Sequence, residues 1–205
     1  MTSRGGGGGD IICSMSNINY NNLFRQREAA WLEKIKPWLY DGDEKIIKIG
    51  NGFGNLSEML RAECSEIKIY EIALPDDVIN KEKVIIYDGV NIGLPDKSMD
   101  IAVFNLVLHH IPNNVQFMLN LNRIVRKRVI LVEETYDNIF QKIHLVWRDW
   151  YMNKKAGQPC KIFWGSYLKR SEVENYAKAC NLKIVHRETN RHHSYYKELI
   201  VLDLI

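Results

Sequence analysis

No CxxC pair occurs in this 205-residue chain, although it holds four cysteines, Cys13, Cys64, Cys160 and Cys180. Their wide separation gives no support to a zinc ribbon or a dithiol redox motif, and leaves free thiols of an intracellular protein as the expected reading. No apolar run approaches the ~20 residues of a membrane span. None near the N-terminus is long enough for a secretory signal. Nor is there a large excess of either charge. Lys and Arg total 28 and Asp and Glu 25, a net of +3, so nucleic-acid affinity would need a local basic patch. There is no internal repeat. A soluble, cytoplasmic protein with no membrane partner is the expectation.

What is present is ordinary globular composition, 46% hydrophobic and 26% charged, enough for one domain with a full core. Residues 1–20, with glycines at 5–9 and a polar stretch after them, read as a disordered tail. Residues 21–205 read as a single domain. Phe24, Trp31, Leu32, Ile35, Trp38 and Leu39 keep a 3.6-residue period, with Arg25, Arg27, Glu28, Glu33 and Lys34 on other faces, which predicts an amphipathic helix bent or ended at Pro37. Thereafter strands are expected near 45–49, 67–70, 83–87, 101–108 and 129–132, and helices near 56–63 and 115–125. That alternation predicts an α/β fold with a parallel sheet covered on both faces. A helix over 139–151, a loop over 154–164, a helix from Ser171 to Cys180 with Ser171 as its N-cap, and two closing strands complete the reading.

The sharpest local signal is Ile46-Ile47-Lys48-Ile49-Gly50-Asn51-Gly52-Phe53-Gly54, a glycine loop between a strand and a helix. Such a loop lets a ligand approach the backbone beside the free N–H groups of a helix start. Glu71 ends the next strand, where a carboxylate can accept bonds from ribose hydroxyls. Asp88-Gly89 ends the third, where a carboxylate can accept from an exocyclic amine. Leu94-Pro95-Asp96 to Asp100 is a turn into the fourth strand, which runs out at Val107-Leu108-His109-His110-Ile111.

In that order, these elements resemble the class I S-adenosylmethionine-dependent methyltransferases, in particular the small-molecule, ubiquinone-biosynthesis-methylase-like branch. The resemblance covers roughly 45–134 and weakens towards residue 205. It implies a Rossmann-like, seven-stranded, mostly parallel sheet with helices on both faces and one reversed strand near the C-terminus. S-adenosylmethionine would be the cofactor. Its site would be formed by Gly50, Asn51, Gly52, Gly54, Glu71, Ile72, Asp88, Gly89, Asn105 and Leu106. A nicotinamide-dependent Rossmann enzyme fits the loop less well, because it calls for GxGxxG where this chain has Gly50-x-Gly52-x-Gly54.

Two features depart from the family. Where an acid usually stands two residues before the first loop glycine, this chain has Lys48, a charge of the wrong sign for a sulfonium and an ammonium. A Lys-Pro-Gly-Gly turn before the fifth strand is missing, and Arg126-Lys127-Arg128 runs straight into Val129. Two functions therefore stand open: a methyltransferase acting on an acceptor, or a catalytically degenerate relative serving as a binding or scaffold subunit beside a protein partner.

Candidate bases are His109, His110, Glu133 and Glu134, all at carboxyl ends of strands. His192-His193 is rejected as a metal pair because neighbours on a strand point to opposite faces, and no metal site is expected. The segment 135–170 is the expected substrate-side insertion. Within it, 141–170 carries seven Lys and Arg against one acid, Asp149, a net of +6. Its aromatics Trp147, Trp150, Tyr151, Phe163, Trp164 and Tyr167 allow two uses. They could bind RNA by stacking, or Trp147, Trp150 and Phe163 could wall a small-molecule pocket. A small-molecule acceptor is favoured. In the plainest reading, Trp147, Trp150 and Tyr151 pack their helix onto the sheet and the lysines are solvated.

Overall fold

The computed structural model describes residues 9–39, 45–50, 52–63, 68–73, 84–87, 91–158 and 161–205, with side chains described from residue 20 onward except at 73, 84 and 86. The first strand, β1 (Lys45–Ile49), lies between β2 (Lys68–Ala73) and β4 (Met99–Asn105), parallel to both. β3 (Val84–Ile86) lies outside β2, and β5 (Val125–Tyr136) outside β4. The sheet continues through β8 (Tyr195–Leu204) to β7 (Leu182–His192), giving the order β3-β2-β1-β4-β5-β8-β7. β8 runs antiparallel to both its neighbours, the one reversed strand of these seven. A two-residue strand, β6 (Leu168–Lys169), adds to the end of β5. Because the chain departs from β1 in both directions, the crevice between the ends of β1 and β4 is the switch point where open α/β sheets bind ligands.

Successive side chains of these buried strands feed two cores. Ile47, Ile49, Ala102, Phe104, Val129 and Leu131 pack with Phe117, Met118 and Leu121 of α3 (Asn114–Ile124) and with Val173 and Ala177 of α5 (Val173–Ala179). Ile46, Ile101, Val103, Ile130 and Val132 pack with Trp31, Leu32 and Ile35 of α1 (Gly9–Ile35) and Leu56 and Leu60 of α2 (Asn55–Glu63). Period two along strands and 3.6 along helices therefore put both faces of the sheet under cover.

Several expectations are revised. α1 starts at Gly9, inside the stretch read as a tail; once a helix is anchored, each added residue gains a hydrogen bond without a new nucleation cost. Residues 1–8 lie outside the described residues. Arg126-Lys127-Arg128 belongs to β5, which starts at Val125, ahead of the strand expected near 129–132. Arg126 pairs with buried Asp100, and Arg128 reaches Asp203 with two bonds of 2.7 and 3.2 Å. Ser171 caps nothing: residues 170–172 form a 3₁₀ turn and α5 begins after it without a side-chain cap.

The largest revision concerns α4 (Ile139–Lys155), capped by Asn138 on the Gln141 N–H at 3.1 Å. Its inward face carries Lys142, Leu145 and Asp149. Trp147 is 55% exposed and Trp150 44%, so neither packs onto the sheet. Replacing Phe117, which meets Tyr87 and Phe104 edge-on, by Ala is expected to cost ~3–5 kcal/mol in urea unfolding. Trp147→Ala should cost under ~0.5 kcal/mol, whereas a helix packed through Trp147 would lose several times that.

Candidate functional site

The glycine loop turns where β1 ends. Gly50, Gly52 and Gly54 all have positive φ, +81°, +50° and +78°, a region that glycine enters without steric cost. The Gly50 N–H donates to the Ile72 carbonyl at 2.6 Å, tying the loop to β2. A Cβ on Gly50 would meet Val107 Cγ2 at 2.6 Å, whereas one on Gly52 or Gly54 would meet nothing within 4 Å. Gly50 is thus glycine for packing against the chain itself, and Gly52 faces open space. Across the crevice, Leu106 follows β4 at φ +54°, a strained position for a non-glycine residue of the kind that clusters at functional sites. Its N–H donates to the Val132 carbonyl at 2.9 Å.

A cavity opens between these two turns. Lys48, Gly50, Gly52, Asn105, Leu106 and His110 line it, together with Phe24, Arg27 and Glu28 of α1. Of the residues expected around a cofactor, Gly50, Gly52, Asn105 and Leu106 therefore come together. Gly54 instead starts α2, accepting from the Glu58 N–H at 3.0 Å. Ile72 is a core residue. Glu71 is buried opposite Lys48 in register and ion-paired with Arg61 at 3.2 Å, and it is not among the described residues lining the cavity. Asn51, Asp88 and Gly89 lie outside the described residues.

Lys48 does not turn outward. It is buried, and its Nζ donates to the Gly50 carbonyl at 2.5 Å. Burial pushes its pKa down, while Glu28 and then Glu71 pull it back up. Glu28 is the counterpart: burial raises its pKa, against the charges of Lys48 and Arg27 and the hydrogen-bonding groups of Leu56 and Asn55. Its Oε1 accepts from Asn105 Nδ2 at 3.4 Å, and its Oε2 is buried with no hydrogen-bond partner. A buried carboxylate oxygen left without a donor is costly, and this one lies at a cavity. A carboxylate from α1 thus stands at this cavity beside the buried Lys48. Periodicity could not reveal it, because in the sequence Glu28 is one polar residue among several on an amphipathic helix.

Next to this cavity lies a second, of about 50 Å³, which shares Phe24, Arg27, Leu106, His110 and Asn153 and adds His109, Glu134, Arg148, Asp149 and Met152. His109 is wholly buried. Its Nδ1–H donates to Glu133 Oε1 at 2.5 Å, and its Nε2 stands 3.6 Å from Asp149 Oδ2. Burial pulls against the imidazolium, but Glu133 and Asp149 outweigh it and hold the pKa well above the usual histidine value. Burial would raise Asp149; His109, His110 and the Tyr167 hydroxyl, which donates at 2.6 Å, hold it well below the usual carboxylate range. Glu133 also accepts from the Leu108 and Glu134 N–H groups, so it is a fixed anchor set back from both cavities.

His110 differs from its neighbour. Its Nδ1–H donates to the Lys161 carbonyl at 3.1 Å, which leaves Nε2 as the basic nitrogen of the neutral ring, 3.7 Å from Asp149 Oδ2. Burial and the adjacent His109 charge lower its pKa. The ligand-type atoms of His109, His110 and Asp149 lie within 4.8 Å of one another. His109 and His110 stand 3.6 and 3.7 Å from Asp149, so their contact with it is electrostatic, while the hydrogen bonds run from Tyr167 and Asn153 to Asp149 and from His109 to Glu133.

The chain matches the methyltransferase-domain family over residues 23–187. It belongs to that family. Among solved structures it is similar to an S-adenosylmethionine-dependent methyltransferase from Aquifex aeolicus, at 12% identity over 83% of this chain and 87% of that one, with a TM-score of 0.58. The YcgJ protein of Bacillus subtilis matches at 10% identity over 87% and 98%, TM-score 0.60. The magnesium protoporphyrin IX methyltransferase of Synechocystis, solved with S-adenosylhomocysteine bound, matches at 14% identity over 98% and 90%, TM-score 0.54. At these identities the likeness is one of fold, and the expected Rossmann-like methyltransferase architecture is the one found. The loop geometry carries a direct test. Gly50→Ala, forced against Val107, is expected to cost at least ~2 kcal/mol more in urea unfolding than Gly52→Ala, whose cost should stay near the ~1–2 kcal/mol of a left-handed backbone.

Proposed function

We propose that this S-adenosylmethionine-dependent methyltransferase transfers the methyl group to a small-molecule acceptor whose nucleophile is deprotonated by His110. The observation that carries the reading is that His110 lines both cavities, the one bounded by the glycine loop and the one bounded by α4. S-adenosylmethionine supplies, when bound, a methyl group on a positively charged sulfur. Gly50 and Gly52 would let it reach the loop backbone, and Asn105 and Leu106 would wall it at the end of β4. Arg27 and Glu28, neighbours on α1 that both line the cavity, present opposite charges to a zwitterionic amino-acid end. Each has one buried polar atom without a partner, Arg27 Nε and Glu28 Oε2, which supports the fit. Glu71, expected at the ribose, and Asp88, expected at the adenine, keep those roles as part of this proposal.

His110 would act through Nε2, accepting a proton as the acceptor's nucleophile forms its bond to carbon. Asp149 stands beside that nitrogen and offsets the charge that develops. Asp149 is in turn held by Tyr167, Asn153 and His109, so His109 positions the network without touching the acceptor. Alignment supplies most of the rate in a displacement of this kind, and general-base help typically contributes 10²–10⁴-fold.

The second reading, a degenerate binding or scaffold subunit, draws on Lys48. Its ammonium is fixed on the carbonyl of the loop's first glycine, beside the cavity. Calorimetry separates the two. Micromolar binding of S-adenosylmethionine by the wild type, weakened by ~1.5–3 kcal/mol in Glu28→Gln and abolished in Gly52→Val, supports the enzyme. No heat with either S-adenosylmethionine or S-adenosylhomocysteine, in the wild type and in Lys48→Asp, supports the scaffold.

The acceptor class is tested with methyl-labelled S-adenosylmethionine and a cell extract divided into small-molecule, RNA and protein fractions. Label is expected among the small molecules, and label in RNA would overturn that choice. With the labelled acceptor in hand, activity should fall as pH drops through the depressed His110 pKa. The acid limb of the rate profile therefore lies below pH ~6.5, because only the neutral ring accepts a proton. His110→Gln should lower kcat by at least 10²-fold and remove that limb.

A further inference from the structure

Helix α4 is amphipathic in the inverse sense. At 100° per residue, Ile139, Phe140, Ile143, Trp147, Trp150 and Tyr151 fall within about 120° of arc. All six are between 38% and 79% exposed, and they account for more than half of the exposed large hydrophobic side chains among the described residues. The opposite face, with buried Lys142, Leu145 and Asp149, meets the domain. A contiguous apolar face of this size turned to water marks an interaction site. The charge around it has one sign. Between residues 139 and 170 the only acid is Asp149, which is buried on the inner face. Lys154 lies within the apolar arc with its Nζ 4.8 Å from the centre of the Trp150 ring, and the Lys155 Nζ is 5.7 Å from that of Tyr151.

We infer that α4 lies flat on an anionic membrane surface. Ile139, Phe140 and Ile143 would enter the acyl boundary, Trp147, Trp150 and Tyr151 would sit at headgroup level, and Lys154 and Lys155 would pair with lipid phosphates. Trp and Tyr with adjoining lysines is the composition of an interfacial helix, and cations near an anionic leaflet add attraction without a hydrophobic span. None is needed: among the described residues no helix is long and apolar enough to cross a membrane. The sequence expectation of no membrane partner rested on that absence, which does not bear on a helix lying in the surface. RNA is the less fitting occupant. Trp147 and Tyr151 are stacked on each other at 14° and 5.5 Å, Lys154 covers a face of Trp150, and the isoleucines have no π-face to offer a base. The inner side chains of the same helix, Arg148, Asp149, Met152 and Asn153, line the second cavity, so docking would bring that cavity to the lipid boundary. The inference does not depend on the identity of the methyl acceptor or on activity.

Flotation with vesicles tests it. The full chain is expected to float with phosphatidylcholine–phosphatidylserine vesicles and at least tenfold less with phosphatidylcholine alone, with a blue shift of tryptophan emission on binding. Phe140→Asp with Ile143→Asp should reduce flotation at least tenfold while the thermal transition stays in place, because neither side chain is packed. Lys154→Glu with Lys155→Glu should remove the preference for phosphatidylserine. Failure of the wild type to float with either vesicle overturns the inference. So does a dimer in sedimentation equilibrium that Phe140→Asp dissolves, which would make a second copy the occupant. Salt-sensitive binding of single-stranded RNA that Trp150→Ala abolishes, with no flotation, would assign the face to nucleic acid.

Discussion

A buried ammonium at the end of the first strand constrains much of what surrounds it. Lys48 lies at the switch point of the sheet, buried at the cavity wall, where an unpaired charge would cost several kcal/mol. It is held by the Gly50 carbonyl and by the fields of Glu28 and Glu71. Those contacts reach in three directions: into the glycine loop, onto β2 and onto α1. Docking of α1 beside the crevice therefore has an electrostatic component as well as the apolar one from Trp31, Leu32 and Ile35. The same docking brings Arg27 and Glu28 to the cavity wall. The charge at one strand position is answered by a residue twenty positions earlier.

How much of this was legible follows from what each physical signal encodes. The alternation of elements and the loop at Gly50, Gly52 and Gly54 were readable, because strand and helix periods and glycine-rich turns are local properties. Asn105 and Leu106 were placed by the resemblance and do line the cavity. Glu28 and Arg27 were not legible as site residues, since their role depends on α1 crossing the mouth of a sheet whose strands follow it in sequence. Glu71 was legible as a carboxylate near the end of β2, but not as the partner of Arg61, which required the packing of α2 over that strand.

Helix α4 shows a different limit. Its periodicity correctly groups Ile139, Ile143, Trp147 and Trp150 on one face. Periodicity says which side chains share a face and is silent on which face turns inward. Asp149 turns inward beside Leu145. Its carboxylate completes the network of His109, His110 and Tyr167, and that network reaches Glu133 inside β5. Rotating α4 to bury its tryptophans would take Asp149 away from both histidines and leave His109 with one carboxylate instead of two.

The site and the exposed apolar face are therefore two consequences of one orientation. Satisfying the histidine pair draws the polar side of α4 onto the domain, and the aromatic side is left to water. A helix oriented by hydrophobic burial alone would make the opposite choice, at roughly 25 cal/mol per Å² of apolar surface covered. That the polar choice stands means the network outweighs the burial forgone, or that the aromatic side has its own partner outside the domain. The lysines support the second term: they stand over the aromatic rings, and no acid on the same helix answers them from the outer face. A residue set selected only for tolerance of water has no need of Trp and Ile at that density, and a set selected only for the site has no need of an apolar arc this wide.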